Sequence, residues 1–98
     1  MTTAMAHKFV VVTRSDNVGV AIEEIHAAEQ AQGFFLEDSS TIEVRARADI
    51  PLGHKVALCA LNEGALIKKY GEIIGTASAK IGVGEHVHTH NLKSQRQS

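Results

Sequence analysis

Phe9-Val10-Val11-Val12-Thr13-Arg14-Ser15-Asp16-Asn17-Val18-Gly19-Val20-Ala21-Ile22 decides the fold class: two β-branched runs of strand length flank a polar turn, the pattern of a hairpin. The same grammar continues outward from it. Thr41-Ile42-Glu43-Val44-Arg45-Ala46-Arg47 alternates apolar and polar residues, as a strand with one buried face does. The single proline, in Ile50-Pro51-Leu52-Gly53-His54, forces a turn ahead of the run from Lys55 to Leu61. Glu63-Gly64 marks another turn, and the runs Ala65 to Tyr70, Ile73 to Ala77 and Ile81 to Gly84 follow between glycines. Short strands broken by turn residues roughly every 8 to 12 positions predict a small all-β domain. The exception is Glu23 to Gln32, where Ala27, Ala28 and Ala31 favour helix until Gly33 stops it; at most a short helix or an ordered loop is expected there. Phe9, Phe34, Phe35 and Tyr70 are the only aromatics, so the core is expected to be built from Val, Ile, Leu and Ala, and no internal repeat is evident.

At 98 residues and 44% hydrophobic content, the chain can bury one modest core and has no room for a second domain. The expected organisation is a loose stretch at residues 1–6, a domain over 7–92 and a basic tail over 93–98. A net charge of −1 argues against nucleic acid or an anionic membrane as partner. Acidic residues dominate up to residue 50 and basic residues beyond it, which polarises the surface toward an acidic ligand or a charged partner. The single cysteine, Cys59, lies in the apolar run Val56 to Leu61, where a small buried hydrophobe is expected and not a nucleophile. One cysteine makes no disulfide framework and holds no iron–sulfur cluster. Neither a signal peptide nor a stretch of roughly 20 apolar residues is present, so a cytoplasmic protein is expected.

Chemistry concentrates in Gly84-Glu85-His86-Val87-His88-Thr89-His90-Asn91-Leu92. On an extended strand His86, His88 and His90 share a face, each about 6.7 Å from the next, so a neighbouring pair can converge on one ion while all three need a bend. That describes a two-histidine site with a spare. A row of solvated histidines that keeps an edge strand from pairing fits the same spacing.

Three segments taken together resemble a known family: Ile50-Pro51-Leu52-Gly53-His54-Lys55-Val56-Ala57-Leu58, Ile67-Lys68-Lys69-Tyr70-Gly71-Glu72-Ile73-Ile74-Gly75 and the histidine segment, with Asp16-Asn17-Val18-Gly19-Val20 before them. They occur in this order in the SAF-type domain of altronate and galactarate dehydratases and in the free-standing small subunits of sulfolactate sulfo-lyases. The resemblance runs from about His7 to Leu92 and departs at Ile25 to Phe35, where many SAF domains have a shorter, glycine-containing turn. It implies a β-clip fold and a small accessory subunit beside a large catalytic subunit. The implied reaction is a lyase elimination from a hydroxy acid: water from a sugar acid, or alternatively sulfite from sulfolactate. It further implies dependence on Fe²⁺ or another divalent metal, held in this chain or in the large subunit.

Such eliminations remove a proton beside a carboxylate, so a cation must stabilise the resulting charge. Among lysines in the shared segments, Lys55 and Lys69 are candidates to meet a substrate carboxylate, with Tyr70 as a hydrogen-bond donor or as a solvated residue at the edge of the core. His54, directly after Gly53, could reach the histidine row and complete a three-ligand set with His86 and His88, or could be a solvated turn residue. Asp16-Asn17 reads as a turn whose side chains bond the backbone, and Gly82-Val83-Gly84 as a tight turn and not a phosphate loop. No carboxylate pair or Ser/His/Asp spacing offers acid–base or nucleophilic chemistry, so catalysis by this chain alone is not expected. A non-catalytic module binding a metal or a sugar acid is the second reading.

Overall fold

The two opening β-branched runs become β1 (Phe9–Val11) and β2 (Val18–Ala21), paired antiparallel with Phe9 opposite Ala21. The computed structural model describes residues 7–94; the loose stretch expected at 1–6 and the end of the expected tail, 95–98, lie outside the described residues. Seven further strands follow: β3 (Gln30–Phe35), β4 (Thr41–Arg45), β5 (Lys55–Ala57), β6 (Leu66–Lys69), β7 (Glu72–Ala77), β8 (His86–Val87) and β9 (Leu92–Ser94). They form a six-stranded sheet in the order β4-β3-β1-β2-β5-β8 and a three-stranded sheet in the order β6-β7-β9. The domain is all-β. Lys93 and Ser94, expected in the tail, belong to β9. Among the described residues no helix is long and apolar enough to cross a membrane.

The short helix considered for Glu23 to Gln32 does not form. From Gln30 onward, burial alternates with period two, with Ala31, Gly33 and Phe35 inward, and β3 pairs parallel to β1 and antiparallel to β4. Alanine content suggested helix; tertiary pairing overrides so weak a preference. Residues 23–29 are instead an ordered loop. Aliphatic residues dominate the core as expected, but the largest fully buried side chain is Phe9. Its ring lies where a Cβ on Gly33 would stand, and a Cβ on Gly19 would come within 2.7 Å of it, so glycine on both neighbouring strands makes room for the ring. Phe9, Ile25, Phe35, Ile50 and Val56 belong to one core cluster; Val18, Leu61, Ile67, Ile81 and Val87 belong to a second.

A repeat invisible in the sequence organises the chain. Ile25-His26-Ala27-Ala28-Glu29-Gln30, Ile50-Pro51-Leu52-Gly53-His54-Lys55, Leu61-Asn62-Glu63-Gly64-Ala65-Leu66 and Ile81-Gly82-Val83-Gly84-Glu85-His86 adopt one conformation. The first residues pair as isolated bridges, Ile25 with Ile50 and Leu61 with Ile81. The fourth residues have positive φ, at 72° for Ala28, 86° for Gly53, 90° for Gly64 and 85° for Gly84. The fifth N–H closes each turn onto the second carbonyl: Glu29 to His26, His54 to Pro51, Ala65 to Asn62 and Glu85 to Gly82. A positive φ at the third of four turn residues is what a type II turn requires. The sixth residue opens a strand in every copy. The repeat escapes notice because its signature is only an aliphatic residue and, in three copies of four, a glycine three places later.

Two expectations about single residues change. Cys59 is exposed, not buried, because the chain leaves the sheet after Ala57 and bends at Leu58-Cys59. Asp16 does bond backbone, but its partners are distant as well as local. Its carboxylate accepts hydrogen bonds from Thr13 N and Oγ1 and from Tyr70 N and Gly71 N, at 2.8–3.2 Å. Asn17 beside it donates to Leu66 O and accepts from Lys68 N. Together they fasten the β1–β2 turn to the β6–β7 hairpin. Desolvation alone would raise the Asp16 pKa, but the bonds from Gly71, Thr13 and Tyr70 outweigh it and hold the carboxyl below the usual range.

The fold makes two predictions. Ala28 occupies the left-handed conformation that glycine takes in the other three turns. That conformation costs an L-residue about 1–2 kcal/mol, against about 0.4–1 kcal/mol of unfolded-chain entropy that glycine adds. Ala28→Gly is therefore expected to stabilise the domain by about 0.5–1 kcal/mol in denaturant titration; a destabilisation would refute the turn assignment. Asp16→Asn removes the charge and sets an amide N–H₂ against N–H donors, and is expected to cost on the order of 1–3 kcal/mol. Because the folded carboxyl titrates below its unfolded value of about 3.9, its contribution is complete above that pH and is lost as pH falls through the folded value. Thermal unfolding from about pH 5 to about pH 2 should thus show a steeper loss for the native chain than for Asp16→Asn.

Candidate metal centre

Two of the four turns deliver histidines to the same place. His54 leaves the second turn just before β5, His86 opens β8 after the fourth, and β5 and β8 are antiparallel neighbours with Val56 opposite His86. Residues two apart share a strand face, so His54, Val56 and His86 point the same way. His54 Nδ1 and His86 Nε2 are 2.8 Å apart, close enough that one ring donates a hydrogen bond to the other. Their rings stack with centroids 5.0 Å apart, and the His88 ring lies 4.2 Å from His54 and 5.5 Å from His86.

The bend that three converging histidines require is present. β8 ends at Val87, and Asn91, 4% exposed, ties the turn behind it. Asn91 Oδ1 accepts from His88 N at 2.9 Å, while Asn91 Nδ2 donates to His86 O at 2.9 Å. Strand geometry is thereby abandoned at His88. His90 stays outside the triad, its ring tilted and 5.4 Å from that of His86.

Ring nitrogens of His54, His86 and His88 all lie within 4.8 Å of one another, and among the described residues they are the one group of three able to hold a metal ion. Imidazole ligation at about 2.1 Å spaces ligand atoms roughly 3–4 Å apart, which small side-chain rotations reach from here. Desolvation, then the charges of the neighbouring histidines and Lys55, hold His86 below the usual histidine pKa. His88 is shifted the same way by desolvation, His54, Lys55 and His90. Both rings are consequently neutral at neutral pH, the form that ligates. The donor set therefore fits a first-row divalent ion.

The remaining candidates lie next to the triad without joining it. Lys55 pairs with buried Val87, so it leaves the face of β5 opposite to the one carrying His54 and Val56. Burial, then the charge of Lys69, holds its ammonium below the ordinary lysine value. Lys69 Nζ sits 4.6 Å above the Tyr70 ring, and Tyr70 is 55% exposed at a positive φ of 58°. Lys55, Lys69 and Tyr70 thus form a second, cationic group, and the Asp16 bonds to Tyr70 N and Gly71 N hold its outer turn. One participant, Arg47, was not singled out in the sequence. Arg47 and His90, with Ala48, Glu85 and His86, line a cleft of about 290 Å³ against the triad. Arg47 ends the alternating run Thr41 to Arg47, two residues beyond β4, a position that signals only a solvated strand end.

The sequence matches the family described as the altronate/galactarate dehydratase SAF domain over residues 7–95. It is 37% identical over 93 residues to the (2R)-sulfolactate sulfo-lyase subunit alpha of Chromohalobacter salexigens, covering 94% of this chain and 99% of that protein. The corresponding subunit of Paracoccus pantotrophus is 52% identical over 59 residues, 60% of this chain and 88% of that one. The altronate dehydratase of Bacillus subtilis is 36% identical over 86 residues, which are 88% of this chain and 16% of that enzyme. A match over residues 7–95 leaves none of the described fold outside it, and the chain belongs to the SAF-domain family of the altronate and galactarate dehydratases.

Proposed function

We propose that this chain is the small subunit of a two-chain lyase of the altronate dehydratase type, eliminating water from a sugar acid in the cytoplasm. It lends the shared active site a wall carrying the metal ligands His54, His86 and His88. The observation that carries the reading is the convergence of three imidazoles, two from strand entries and one from the turn after β8, to within 4.8 Å. Its family membership and its relatives, which are altronate dehydratases and lyase alpha subunits, support it.

An ion held by three neutral imidazoles, Fe²⁺ in this reading, keeps its full charge and would supply Lewis-acid stabilisation of charge on a hydroxy acid. Lys55 and Lys69 hold the substrate carboxylate, and the Tyr70 hydroxyl donates a hydrogen bond to it. Elimination also needs a base for the proton beside the carboxylate and an acid for the departing hydroxide. Glu85, the carboxylate nearest the triad in sequence, accepts a hydrogen bond from Gly82 N at 2.9 Å and is the one carboxylate lining the cleft beside the triad, so the acid–base pair is assigned to the large catalytic subunit. The alternative bond is carbon–sulfur, with sulfite leaving. Coverage of 99% of a sulfolactate sulfo-lyase alpha subunit favours it over a stand-alone binding module.

Assays of this chain alone and mixed with its large subunit test the reading, on altronate, galactarate and sulfolactate with Fe²⁺. No turnover is expected from the isolated chain, and activity on mixing. His86→Ala and His88→Ala should change unfolding free energy by within about 0.5 kcal/mol, as half-exposed strand and turn positions do. Each should lower activity of the complex about 10-fold or more, and weaken metal binding measured by calorimetry on the isolated chain. Full activity and unchanged metal binding in both variants would remove the triad from the mechanism.

A further inference from the structure

The turn between β6 and β7 is built against its local preference. Lys69 pairs with Glu72, which leaves Tyr70 and Gly71 as a two-residue hairpin loop, and both have positive φ, 58° and 75°. Such a type I′ turn favours Asn, Asp or Gly at its first position, and an aromatic residue there carries a steric cost. Packing does not explain the choice. Tyr70 is exposed and belongs to neither core cluster; its ring lies instead under the Lys69 ammonium, 4.6 Å away. What holds the strained backbone is a carboxylate from another part of the chain. Asp16 is buried and accepts hydrogen bonds from Tyr70 N at 2.9 Å and Gly71 N at 2.8 Å, while Thr13 N and Oγ1 donate to the same carboxylate and fix it in turn. Asn17 fastens β6 just ahead of the loop, through Leu66 O and Lys68 N.

Strain kept at an exposed aromatic residue and over-determined by a buried anchor is the pattern of a contact held ready for a ligand. We infer that Asp16 is a positioning residue for substrate: by bonding both amides of the Tyr70-Gly71 loop, it holds the Tyr70 hydroxyl and the Lys69 ammonium in place to share one carboxylate of the hydroxy acid. This rests on the lyase reading for the identity of the ligand, and the contact requires neither the metal nor Lys55. The ammonium at the face of the ring and the hydroxyl at its rim are donors fixed before the ligand arrives, so binding is spared the cost of ordering them.

Tyr70→Asn and Asp16→Asn in the full chain test this. Asparagine suits the left-handed position, so Tyr70→Asn is expected to raise the midpoint of thermal unfolding by about 4 °C. Glycerate, a small hydroxy acid, is titrated at constant ionic strength and read from the NMR amide signals of Lys69 and Gly71. Both variants should bind it about 10-fold more weakly than the native chain, although Asp16→Asn leaves Lys69 and Tyr70 in place. In the complex with the large subunit, at a temperature where every variant is folded, Asp16→Asn is expected to raise KM about 10-fold with a smaller fall in kcat. Loss of folded subunit alone would lower kcat at an unchanged KM. If mixing gives no turnover but glycerate binding still depends on Asp16 and Tyr70, the lyase reading falls and the positioning role stands. That role is overturned if Tyr70→Asn lowers the unfolding midpoint, if glycerate leaves the native signals unmoved, or if Asp16→Asn keeps the native glycerate affinity or the native KM.

Discussion

Four residues held at positive φ govern everything downstream of them in this fold. Each is the third residue of a turn whose closing hydrogen bond sets the register of the strand that follows, and a one-residue slip would send every side chain of that strand to the other face. With no helix among the described residues, strand entry is the main device for aiming a side chain. The second and fourth turns aim His54 and His86 at each other across two antiparallel strands. The same left-handed position on Gly84 admits the Arg45 carbonyl and so carries Arg47 to the histidines.

Two buried polar side chains finish what the turns begin. Asp16 and Asn91 are the buried polar residues of the described fold, and both bond backbone amides of loops that bear candidate site residues. A buried carboxylate or amide left without partners would cost more than any one of these bonds contributes, so the loops are held by a penalty against opening as much as by attraction. No buried side-chain donor or acceptor among the described residues lacks a partner. Asp16 holds the Tyr70 turn, and Asn91 forces the departure from strand geometry that brings His88 onto His54.

The electrostatics of the surface are equally one-sided. Neutral imidazoles, Lys55, Lys69 and Arg47 supply cation-binding and anion-binding capacity, while the nearby carboxylate of Glu85 accepts a hydrogen bond from Gly82 N in its own turn. In the reading proposed above, such a surface binds and polarises a ligand and forms one wall of an active site. Among the relatives, some are alpha subunits, and in the altronate dehydratase of Bacillus subtilis the matching segment is 16% of the enzyme.

By itself the sequence determined the class and most of the strands, because a period-two apolar pattern and a hairpin turn are local properties that survive any tertiary arrangement. The histidine motif was legible for the same reason, as were the segments that carry the family resemblance. Tertiary structure alone decided the rest. Gln30 to Phe35 became a strand because β1 and β4 offered partners on both sides, and Phe9 could be central because glycines lie on its two neighbours. Cys59 came to the surface because the chain turned out of the sheet two residues earlier. His54 lies 32 residues before His86, and Arg47 earlier still; spacing cannot report that they meet. Their meeting depends on two turns pairing across a sheet, and hydrogen bonds between residues distant in the chain leave no periodic trace in it.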